Sequence, residues 1–61
     1  MEWNDLGYST VYERNGLFIR SRIVNGSYEY YVTDYFQIRG KFDSYVHALR
    51  FLNEVRRNEK L

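Results

Sequence analysis

The sequence predicts an α+β domain, an antiparallel meander of three to four strands with one C-terminal helix packed on one face. Two observations define the sheet. Asn15-Gly16 and Asn25-Gly26 each sit between runs rich in Tyr, Val, Ile and Thr. A two-residue Asn-Gly loop meets the positive φ that a tight hairpin demands at both positions, and such runs suit a pleated, half-buried surface. A third observation defines the helix: no Gly or Pro interrupts residues 44–58, where apolar residues recur at helical spacing.

Residues 1–7 read as an irregular segment whose Trp3 and Leu6 plug one end of the core. Residues 8–42 read as sheet, with strands over 8–14, 17–24, 27–33 and 36–42. The first loop pairs Arg14 with Leu17, Tyr12 with Ile19, Thr10 with Ser21 and Tyr8 with Ile23. The second pairs Ile23 with Tyr28, Ser21 with Tyr30 and Ile19 with Val32. Side chains alternate along a strand, so one face collects Tyr8, Tyr12, Leu17, Ile19, Ile23, Tyr28, Tyr30 and Val32. A three-residue connection, Thr33-Asp34-Tyr35, then sets Val32 opposite Phe36, Tyr30 opposite Ile38, Tyr31 opposite Gln37 and Glu29 opposite Arg39. That register keeps the apolar face continuous, and Gly40 marks a bulge or a close approach of the helix.

Asp43 and Ser44 offer N-cap oxygens to a helix over 44–58. Tyr45, Ala48, Leu49, Leu52, Val55 and Arg56 form the stripe that covers the sheet. Leu49, Ile19 and Tyr30 are expected core residues. Tyr31 and Arg20 are expected in solvent.

The 61 residues allow one domain, 1–61, and the initial Met1 suits a whole small reading frame. A domain this short buries only roughly 60% of the surface its unfolded chain exposes. Without cysteine and with a single histidine, neither a disulfide, a thiolate metal site nor a histidine metal cluster is available to help it. Seven Tyr, four Phe and one Trp compensate. The net charge of +1 excludes a strongly basic tail or an acidic mimic of DNA as a global feature. No apolar run approaches the ~20 residues of a membrane helix, and no signal segment opens the chain. A cytoplasmic location is therefore expected, with no cofactor.

Catalysis is not expected. His47 has no acidic neighbour on its helix closer than Glu54, two turns away, and reads as a surface residue. The serines lack a paired base. The strand-to-helix turn Phe42-Asp43-Ser44 lacks the glycines of a phosphate loop.

The outer face of the sheet is where partner binding is expected. It gathers Arg20, Arg22, Arg39 and Lys41 around Phe18, Tyr31 and Gln37, against only Glu13 and Glu29. Arg, Lys and Gln read phosphates and base edges, and aromatic rings stack on bases. The same face also reads as an ordinary solvated cross-strand charge row. Exposed Phe18 and Tyr31 beside arginine equally suit a protein hot spot.

Successive strands ending in Gly40-Lys41-Phe42-Asp43-Ser44, followed by a helix with Ala48, resemble the small βββα DNA-binding domains of the AP2 type, including the arm-site-binding domains of phage and transposon integrases. The resemblance spans roughly residues 17–59. It implies a sheet that enters the major groove, with Arg20, Arg22 and Arg39 at DNA-contacting strand positions. The leading expectation is thus a non-catalytic protein that binds double-stranded DNA through the open sheet face. The alternative is a small phage-type inhibitor or adaptor that docks on another protein through that face or an open sheet edge. Either edge strand also offers a route to a homodimer.

Overall fold

A computed structural model describes residues 3–58. A 3-10 turn at Asn4–Leu6 precedes four strands: β1 (Ser9–Arg14), β2 (Leu17–Val24), β3 (Ser27–Thr33) and β4 (Ile38–Phe42). The helix α1 (Tyr45–Asn58) closes the described chain. The strands form one antiparallel sheet in the order β1-β2-β3-β4, so the domain is α+β as the sequence predicts. Among the described residues no helix is long and apolar enough to cross a membrane.

Both Asn-Gly loops adopt the left-handed geometry that selects them, with φ of 53° and 83° in the first and 52° and 80° in the second. The β2–β3 register is the predicted one throughout, from Phe18 opposite Thr33 to Val24 opposite Ser27. Helix α1 packs across β2, β3 and β4. Leu17, Ile19, Val32, Ala48 and Leu52 form the buried core, flanked by Tyr12, Tyr30, Phe42, Tyr45, Leu49, Phe51 and Val55. The Ser44 carbonyl accepts the Ala48 N–H at 3.1 Å, which starts the helix one residue after Ser44. Leu49 and Tyr30, expected in the core, are only half-buried. Leu52 is fully buried instead.

Two registers differ from expectation, each at a bulge. In the first hairpin, pairing follows the predicted scheme from Arg14–Leu17 to Tyr12–Ile19, and then a bulge at Val11 shifts it by one. Thr10 falls opposite Arg20, and Ser9 opposite Ser21. The extra residue carries Thr10 and Tyr8 to the outer face, where the Thr10 hydroxyl accepts from Arg20 and the Tyr8 ring meets Tyr31. Satisfying a buried guanidinium is the gain that offsets the interrupted ladder.

The second difference is larger. β4 begins at Ile38 rather than at residue 36, and Val32 faces Gly40 instead of Phe36. Tyr30 faces Phe42, Tyr31 faces Lys41 and Thr33 faces Ile38, with a bulge at Arg39. Glu29 therefore does not face Arg39, nor Tyr31 Gln37. A Cβ on Gly40 would lie 2.9 Å from the Phe42 ring and 3.0 Å from the Phe51 ring. Only glycine lets these two rings pack there at 5.2 Å between centroids. Phe36 and Ile38 leave the apolar face and are 91% and 44% exposed.

The helix leaves the far end of the inner face open. Ile23 and Tyr28, expected to be covered, are both exposed. Trp3 does not plug the core but lies over the outer face, and Leu6 is exposed. Both edge strands carry a bulge, a feature that discourages pairing with a second sheet.

Candidate binding surface

β2 sends Phe18, Arg20 and Arg22 to the outer face, and β3 adds Glu29, Tyr31 and Thr33. On a bare sheet these side chains would stand in water. Here Trp3 and Tyr8 fold back over them and make a thin second layer. The Arg20 guanidinium carbon lies 4.3 Å from the Phe18 ring centroid and 4.9 Å from that of Trp3. Its Nε donates to the Thr33 hydroxyl at 2.8 Å, and a terminal nitrogen donates to the Thr10 hydroxyl. Arg20 is only 6% exposed and Tyr31 only 4%, which corrects the expectation that both face solvent. Desolvation lowers the Arg20 pKa but leaves so strong a base charged. Stacking supplies the compensation, since a desolvated cation–π contact can contribute about 2 kcal/mol.

Arg22 repeats the arrangement one register step away. Its guanidinium lies 4.8 Å from the Tyr8 ring and 5.5 Å from the Tyr31 ring, and it donates to the Tyr31 hydroxyl at 3.1 Å. That bond raises the Arg22 pKa. The Tyr31 hydroxyl in turn donates to the Glu29 carboxylate. This bond lowers the Glu29 pKa and raises that of Tyr31. Glu29 also meets Lys41 at 3.5 Å. Tyr8 stands edge-on between Trp3 at 5.2 Å and Tyr31 at 5.1 Å.

The β3–β4 connection is the second feature. The Asp34 carboxylate accepts the backbone N–H groups of Phe36 at 2.7 Å and Gln37 at 2.8 Å, while the Asp34 N–H donates to the Gln37 carbonyl at 3.1 Å. These bonds lower the Asp34 pKa, and Arg39 lies 3.6 Å away as its ion partner. The turn holds Tyr35 and Phe36 outward, 63% and 91% exposed. The Tyr35 ring rests edge-on against Phe18 at 5.2 Å.

Of the residues expected to bind a partner, Arg20, Arg22, Tyr31 and Phe18 are thus joined in one layer. Lys41 sits at its margin through Glu29. Arg39 belongs to the Asp34 turn, and Gln37 contributes main-chain bonds to it. His47 is exposed on the helix. Strand alternation missed Trp3, Tyr8, Tyr35 and Phe36. Asp34 was the available signal for the last two, because aspartate at a turn start captures N–H groups two and three residues on.

Comparison with known proteins finds no matching family model, no similar curated protein and no similar solved structure.

Proposed function

We propose that this chain is a non-catalytic binding protein, an adaptor or inhibitor, that docks on another protein through the Tyr35–Phe36 turn. The observation that carries this is Phe36 itself, a large apolar side chain 91% exposed on a turn whose backbone is held by Asp34. Burying a phenylalanine side chain contributes about 1.5–3 kcal/mol. Leaving one in water on an ordered turn forgoes that gain within the chain and reserves it for a complex. A preordered anchor also avoids the entropy cost of fixing a loop on binding. Tyr35 and Ile38 extend the apolar area on either side. Phe36 stands almost wholly exposed on its turn, so the partner it fits is a protein with an apolar pocket. The adjacent charges Asp34 and Arg39 compensate each other.

Double-stranded DNA is the second reading. It is supported by the AP2-type resemblance and by Lys41, whose side chain is 62% exposed at the sheet margin. A duplex would contact Arg22, Arg39 and Lys41, and would have to compete with Tyr31, Asp34 and Glu29 for them.

One experiment separates the two. A photo-crosslinking phenylalanine analogue is placed at position 36 and, as a control, at Val46, which is exposed on the helix. A discrete protein adduct from position 36 alone, suppressed by excess wild-type protein, is the expected result. No adduct from position 36, or equal adducts from both positions, overturns the reading. Titration of labelled duplex completes it. Binding with a log–log salt slope near −2.7, the value for about three phosphate contacts, and unchanged in Phe36→Ala, transfers the assignment to DNA.

A further inference from the structure

We propose that Trp3 is a positioning residue for the Phe36 anchor, an inference that rests on the reading of Phe36 as the docking side chain. The peptide unit between Tyr35 and Phe36 carries one carbonyl and one N–H. The Phe36 N–H donates to the Asp34 carboxylate at 2.7 Å. The Tyr35 carbonyl of the same unit accepts the Trp3 indole N–H at 3.2 Å, from 32 residues away in the chain. A peptide unit is planar, so gripping it at both ends fixes its orientation and with it the direction in which Phe36 leaves the backbone. Asp34 alone grips one end and leaves the plane free to rock about it.

The indole is itself held. Its ring lies 4.9 Å from the Arg20 guanidinium and edge-on to Tyr8 at 5.2 Å. Arg20 rests on Phe18, and Phe18 supports the Tyr35 ring. Trp3, Arg20, Phe18 and Tyr35 therefore close a circuit that joins the outer-face layer to the anchor turn. Otherwise the N-terminal segment is lightly attached: Asn4, Asp5, Leu6 and Gly7 are all exposed. Seating of the indole and ordering of Phe36 are thus coupled, and a partner that favours one favours the other to the same extent.

Two variants and one partner-free readout test this. Trp3→Phe keeps an aromatic ring over Arg20 and removes the N–H donor; Trp3→Ala removes both. Backbone ¹⁵N relaxation gives the order parameter of the Phe36 amide. It should fall from about 0.85 to below about 0.6 in Trp3→Ala, and part of the way in Trp3→Phe. The values at Ile19 and Val32 should hold in both. An unchanged order parameter at Phe36 in both variants overturns the proposal. So does an equal fall at Ile19 and Val32 in Trp3→Phe, which would make Trp3 a general support of the sheet. Because the measurement needs no partner, its failure leaves the Phe36 reading standing, whereas failure of the crosslinking experiment removes the anchor and leaves only the ordering of the turn by Trp3.

Discussion

Arg20 sits between the rings of Phe18 and Trp3 with the hydroxyls of Thr10 and Thr33 on its guanidinium. A lysine could keep the charge but not the planar stack or the fork of donors. Arg20→Lys is therefore expected to destabilise the fold by about 1–2 kcal/mol, the scale of a desolvated cation–π contact. Urea unfolding followed by far-UV circular dichroism checks this. A change within about 0.5 kcal/mol is what an ordinary surface arginine would give. Phe36 is the opposite case at the same scale, an apolar residue whose truncation should leave stability nearly unchanged, since it is 91% exposed.

Among the elements, the Asp34 turn has a pH signature. Two backbone N–H groups, with Arg39 alongside, hold the folded carboxyl below its usual value. Its contribution is therefore fully present above the unfolded aspartate value of about 3.9. It is lost as pH falls through the lower folded value. Melting temperatures of wild type and Asp34→Asn should differ by a constant amount above about pH 5 and converge in acid. A difference independent of pH would show that the carboxylate charge plays no part. The helix is tested by Leu52→Ala. Leu52 is fully buried, and its loss should cost about 2–5 kcal/mol, comparable to the whole stability of so small a domain. A near-wild-type melt would contradict its place in the core.

The elements also show what a reader of the sequence can see. Asn15-Gly16 and Asn25-Gly26 state both hairpins, because few residues tolerate their φ values, and the β2–β3 register follows residue by residue. The bulge at Val11 is not visible in the same way, whereas Gly40 does signal the bulge and the close helix contact beside it, though not the register that follows. Strand alternation assumes an unbroken ladder, whereas each bulge is favoured by a tertiary gain: a guanidinium satisfied by Thr10 in one case, and rings packed over Gly40 in the other. One bulge moved Tyr8 to the outer face. The altered β4 register moved Phe36 into solvent. Arg20, Arg22, Phe18 and Tyr31 were thus legible, while their burial, the Trp3 and Tyr8 rings that cover them and the anchor beside them were not.

On the scale of the whole molecule, one helix and one sheet make the main core, and the N-terminal segment closes part of the sheet's other face. That division leaves apolar exposure at Ile23 and Tyr28 on the open end of the inner face, and at Tyr35, Phe36 and Ile38, beside a layer whose cations are already engaged. The proposed role of Phe36 is to supply the binding energy for a protein partner. The most direct test is the ratio of dissociation constants for Phe36→Ala and wild type, measured with the crosslinked partner once purified. A buried aromatic hot spot contributes about 2 kcal/mol or more, so the ratio should be about 30 or higher. A ratio near one, with the fold intact, would show that Phe36 is not the anchor.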